Sequence, residues 1–151
     1  MTTTKNHLLN ELIELNNDRI AGFQKAITNI DDESENKDLK QIFKAFAEQS
    51  GRFNQELSQL VAENAGEPET GSSVYGSLHR IWIDVKSLFG GSDRESILAE
   101  AERGEDIIKN AYHSVIQQNR LNGTAQETIS SQSVLLDRSH DRIKELRNLA
   151  R

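Results

Sequence analysis

The chain has no cysteine, so neither a thiolate nucleophile nor a zinc–thiolate site is available. The side chains left to do chemistry are 24 Asp and Glu and four His. In a helical protein such residues build one well-defined site. A dinuclear iron or manganese centre takes a Glu from each of two helices and a Glu-x-x-His pair from each of the other two. The chain offers fragments of that set. Glu48 is followed three residues on by Gly51 and then Arg52, with no His. Asp137-x-x-His140 is a shortened version of the pair, and Glu102 and Glu105 lie three apart. Near Asn16-Asn17-Asp18 the central turns hold no Glu after Glu14.

Neighbours seven residues away decide which of these face inward. Glu105 lines up with Leu98 and Tyr112, and His140 sits between Leu136 and Ile143. Asn16 lines up with Leu9 and Phe23, and Ser50 with Phe43 and Leu57. Glu48 aligns with Gln41 and Gln55, Glu102 with Glu95 and Lys109, and Asp137 with Ser130 and Lys144, which makes those three solvated or marginal. The expected inward polar set is therefore Asn16, Ser50, Glu105 and His140. Only Glu105 and His140 in it are strong metal ligands, and a dinuclear centre needs several carboxylates to balance its charge. The expectation is a structural polar layer that fixes helix register, with no cofactor. The alternative is a weak divalent site for iron or manganese on Glu105 and His140, with Asp137, Glu102 or Glu48 swinging in.

The elements that position these residues follow from composition and periodicity. At 151 residues the chain is one domain by length. Apolar residues make up 35% and charged residues 28%, lean for a globular core but normal for helices that each bury a stripe. One Pro and nine Gly leave little punctuation, and alternating strand-like runs are absent. The net charge of −6 and a pI near 5.2 argue against a nucleic-acid partner or attraction to anionic lipid. No apolar run reaches the roughly 20 residues that span a bilayer, and no signal-peptide core opens the chain, so the cytoplasm is the default location. There is no nucleophile-elbow motif and no Gly-rich phosphate loop.

Helices are expected at about 5–30, 35–64, 93–119 and 124–150, with a short one at 77–89. The first carries the seam Leu9, Ile13, Asn16, Ile20, Phe23, Ile27 and Ile30. The second carries Leu39, Phe43, Phe46, Ser50, Phe53, Leu57 and Leu60. The third carries Ile97, Ala101, Gly104, Ile108, Ala111 and Val115, and the fourth Ile129, Leu136, His140 and Ile143. Capping boxes are expected at Asp32–Glu35, Ser92–Glu95 and Thr124–Glu127, and a C-terminal glycine signal at Asn122-Gly123. Gly22, Gly51 and Gly104 inside helices suggest close approach of a neighbour. The short stretch Leu78, Ile81, Trp82, Val85, Leu88, Phe89 is amphipathic. Trp82 and His79 on it are expected to anchor it to the bundle or to form an interface.

Short connections make the first and second helices one antiparallel hairpin and the third and fourth another. The long connection between them is enough to return along the bundle. The expected fold is all-α: a ferritin-like four-helix bundle, two antiparallel hairpins joined by a long crossover containing a short helix. A plain up-down bundle with a decorated loop is the competing topology. Heptad seams can be filled within one chain or between two, so a homo-oligomer is compatible with the sequence. No feature identifies a protein partner.

Several segments also resemble a bacterial family of ferritin-like four-helix-bundle proteins classed as a domain of unknown function. They are Leu78-His79-Arg80-x-Trp82, Ile97-Leu98, Glu102-Arg103-Gly104-Glu105-Asp106 and Tyr112. Leu12-Ile13-Glu14-Leu15-Asn16-Asn17-Asp18 and Phe46-Ala47-Glu48-Gln49 fit it too. The resemblance implies a ferritin-like fold and a loose association with bacterial stress proteins. It brings no catalytic residues. The function expected is that of a non-catalytic structural or interaction protein; the alternative is an iron- or manganese-binding protein with oxidoreductase or storage activity.

Overall fold

The computed structural model of the chain describes residues 2–31, 35–64 and 94–150. Among these, four helices and no strand are present: α1 (Thr2–Asn29), α2 (Lys37–Glu63), α3 (Arg94–Gln118) and α4 (Gly123–Leu149). Each matches its sequence expectation to within a turn. The stretch 77–89, with Trp82 and His79, lies outside the described residues, as do the first residues of the boxes at Asp32 and Ser92. No helix among the described residues is long and apolar enough to cross a membrane.

Helix ends differ from the expected signals in two places. The left-handed residue that ends α3 is Asn119 (φ 55°), whose N–H reaches the Ile116 carbonyl at 3.1 Å. Asparagine tolerates this conformation better than other residues with a β-carbon. Gly123 (φ 58°) instead opens α4. Extended Asn122 is the N-cap there, without a side-chain cap bond, so Thr124 falls inside the helix and its box does not form the cap. Likewise α2 is capped by Asn36.

α1 packs along α2, α3 along α4, α1 against α3, and α2 against α4. The cross-helix bonds run in opposite order along each neighbouring pair. Asn16 meets Ser50 and Arg19 meets Phe46 between α1 and α2. Asn16 meets Tyr112 and Arg19 meets Glu105 between α1 and α3. At one end, Arg94 at the start of α3 makes a two-pronged bond with Asp38 at the start of α2, both at 2.8 Å.

Two apolar clusters fill the interior. One gathers Leu9, Leu12, Phe53, Leu57, Ile108 and Ile129; the other gathers Phe23, Leu39, Phe43, Ile97 and Ile143. Each fully buried side chain of this size contributes about 1.5–3 kcal/mol. The α2 stripe is the expected one, except that Phe46 is only partly buried. All four inward residues expected on α4 are buried. On α1 the stripe differs: Ile20 is half-buried, while Arg19 is fully buried. From Asn16 to Phe23 a helix can step through 19 or 20, and here it steps through the charged residue. Gly51 does not mark a close approach, since an added β-carbon would meet nothing within 4 Å.

Candidate functional site

The two apolar clusters are separated by a polar layer centred on Arg19. α1 places its guanidinium in the middle of the bundle, 5.4 Å from the Phe23 ring centre and 5.3 Å from that of Phe46. Both residues of the Arg19–Glu105 pair are at most 1% exposed. Arg19 Nε donates to Glu105 Oε1 at 2.8 Å and Nη2 to Oε2 at 3.0 Å. Nη1 donates to Gln49 Oε1 (2.8 Å), Ser50 Oγ (3.0 Å) and the Phe46 carbonyl (3.2 Å). The planar fork of arginine matches a carboxylate two bonds at a time. These bonds offset the large cost of taking two charges out of water.

From Arg19 the bonds continue head to tail through all four helices. Ser50 Oγ donates to Asn16 Oδ1 at 2.8 Å. Asn16 Nδ2 donates to the Leu12 carbonyl at 2.8 Å and to Tyr112 Oη at 2.9 Å. Tyr112 Oη donates to Gln132 Oε1 at 2.6 Å. Gln132 Nε2 donates to Glu56 Oε1 at 2.8 Å and to the Phe53 carbonyl at 3.3 Å. The chain thus starts at a buried cation and ends at an exposed carboxylate. Burial pushes the Tyr112 phenol far above its ordinary value, against the opposing pull of its Asn16 bond, and so it stays a neutral donor.

Three of the four expected inward polar residues, Asn16, Ser50 and Glu105, meet in this layer. His140 does not join them. It is buried, but its Nε2 faces Asp106 Oδ1 at 2.6 Å and Glu102 Oε2 at 3.8 Å, and its Nδ1 faces Asp141 at 3.2 Å. Glu102, expected to be solvated or marginal, is 9% exposed and has Arg147 at 3.0 Å. The reason is the same drift of the helical stripe: α3 turns Glu102 toward α4. Asp137 pairs with His113 at 3.0 Å on the partly exposed surface, and Glu48 is exposed, outside the layer. The five candidate ligands are therefore not gathered at one point. Among the described residues, no group of three or more His, Asp or Glu is disposed to hold a metal ion.

Periodicity did not single out Arg19, Tyr112 or Gln132 as members of the layer. A usable signal existed. Arg19 lies on the series 12-16-19-23, and Gln132 lies three after Ile129 and four before Leu136. A criterion that scores only apolar side chains passes over both. Chemically, Arg19 balances the charge of Glu105, and each oxygen of the central carboxylate already accepts a guanidinium bond. A cation placed beside Glu105 would also meet the Arg19 guanidinium at contact distance.

No curated protein matches the chain in sequence. The profile of a family described as a domain of unknown function (DUF2383) matches residues 4–118, and the chain belongs to that family.

Proposed function

We propose that this chain is a non-catalytic, ferritin-like bundle, a structural or interaction protein of the bacterial cytoplasm with the stress association its family resemblance implies. The ferritin-like path is supported by the Arg94–Asp38 bond. That bond joins the starts of α2 and α3, which favours a connection that returns along the bundle over a plain up-down order. The observation that carries the absence of a central metal reaction is the Arg19–Glu105 pair. Where a di-metal bundle gathers carboxylates, this one holds a guanidinium that takes both oxygens of the central Glu. The other buried side chains of the layer, Asn16, Ser50, Tyr112 and Gln132, are neutral amides and hydroxyls that bind one another and set register, and the one further carboxylate, Glu56, lies at the exposed end.

The test is metal analysis of the full chain purified without chelator, then dialysed against iron or manganese. Wild type and Glu105→Gln are expected to carry the same trace content. Iron or manganese near one or two ions per chain, lost in Glu105→Gln or in His140→Ala, would overturn the proposal.

A further inference from the structure

The turn between α3 and α4 carries the chain's one Asn-Gly dipeptide, Asn122-Gly123. Both residues are exposed, while Leu121 before them and Ala125 after them are buried and hold the flanks. Asn122 is the N-cap of α4, yet its side-chain amide makes no cap bond. Gly123 is the first residue of the helix, where an N–H has no carbonyl four residues back to bond. Among the described residues, the backbone bonds of this turn come from the N–H groups of Asn119 and Gln126, and none takes that of Gly123. A β-carbon added at Gly123 would meet nothing within 4 Å, so the space beside its backbone is open.

We propose that Asn122 is a site of spontaneous modification that stays open in the folded chain. The Gly123 nitrogen attacks Asn122 Cγ and gives up its proton to solvent as the new C–N bond forms. The Cγ–Nδ2 bond breaks, Nδ2 takes up a proton and leaves as ammonia, and a succinimide ring remains. Water then opens the ring. Breaking the N–Cγ bond yields Asp; breaking the original peptide C–N bond yields isoaspartate, whose backbone runs through Cγ. The net exchange is an amide and a water for a carboxylate and an ammonium ion, so water is the sole co-reactant. Glycine suits the step because it has no side chain to screen the attacking nitrogen. The bonds that would hold the pair still are missing on both partners: the amide caps nothing and the N–H is not taken. Asn119, also exposed in this turn, is followed by Arg120, whose side chain shields the next nitrogen. The new charge falls at the start of α4, where unpaired N–H groups favour a carboxylate.

The full-length chain is incubated in mildly alkaline heavy-oxygen water, folded and, in parallel, unfolded in guanidinium chloride. Circular dichroism confirms that the first sample keeps its helices, and peptide mass spectrometry locates each lost amide. In the folded chain the Asn122 peptide is expected to gain one heavy oxygen, divided between Asp and isoaspartate. Its rate should lie within severalfold of that in guanidinium and ahead of every other Asn peptide. Folded Gly123→Ala, which adds a side chain next to the nitrogen, is expected to keep most of its Asn122 amide. Asn122→Gln, which leaves Gly123 in place, is the second control and should likewise keep its amide. An Asn122 amide that survives in the folded chain but not in guanidinium overturns the proposal. So does loss as fast in either variant, or another Asn peptide that leads. None of these outcomes depends on the metal content of the protein.

Discussion

Replacing Arg19 with leucine removes one half of a buried ion pair while keeping a side chain that suits a helix interior. Glu105, 1% exposed, then loses both of its guanidinium bonds. Gln49, Ser50 and the Phe46 carbonyl each lose a donor as well. Breaking a buried pair from one side costs about 3–5 kcal/mol, because the surviving charge is left uncompensated. For a domain of this size each kcal/mol moves the melting temperature by about 2–4 °C, so a drop of about 6–20 °C is expected. Glu105→Leu alone should cost a similar amount, since it strands the guanidinium. The double variant should be more stable than either single one, because no charge is left behind and leucines fill much of the space. Urea unfolding followed by circular dichroism measures all four proteins in one cycle. A loss below about 1 kcal/mol in Arg19→Leu, of the size that surface changes give, would refute the central role of the pair. So would single losses that simply add in the double variant.

Tyr112→Phe leaves Asn16 and Gln132 without their shared hydroxyl and should cost about 1–3 kcal/mol in urea unfolding. Burial holds the folded Tyr112 phenol above its ordinary value, so the unfolded chain ionises first. Wild-type stability should therefore fall as pH rises past about 10, and Tyr112→Phe should flatten that fall. The Asp38 carboxyl is held below its ordinary value by its Arg94 bond. Its small contribution is present above about pH 4 and lost as pH drops through its lowered value. Asp38→Asn should cost under about 1 kcal/mol at pH 7, because both side chains are partly exposed, and nothing once wild-type Asp38 is protonated. Gly51→Ala meets open space in a helix interior and should raise stability by up to about 1 kcal/mol. Gly123→Ala should lower it by about 1–2 kcal/mol, because φ is +58° there; matched thermal melts compare the two.

The helices themselves were legible without coordinates. Apolar residues recur at 3.6-residue spacing on each, and that pattern is local to the chain. It placed Leu39, Phe43, Phe53 and Leu57 on the α2 stripe and Ile129, Leu136 and Ile143 on that of α4, all of them buried. It also placed Asn16, Ser50 and Glu105 inward, because each has apolar neighbours one heptad away. The turn signals were less reliable. Asn119 and Gly123 adopt left-handed conformations for two adjacent helix ends, and neighbouring Asn and Gly residues do not say which end each serves.

What the sequence by itself determined is the set of helices, their inward stripes and the presence of polar groups within them. Only the tertiary structure decided which polar groups meet. Glu105 is bound by Arg19, a residue 86 positions away, whereas His140 is drawn to Asp106 and Glu102. Neighbouring residues lie about 100° apart around a helix, so a rotation of some tens of degrees about its axis chooses between position 19 and position 20, or turns Glu102 in or out. That rotation is set by the neighbouring helices, because a buried charge is tolerated only where they bring it a partner.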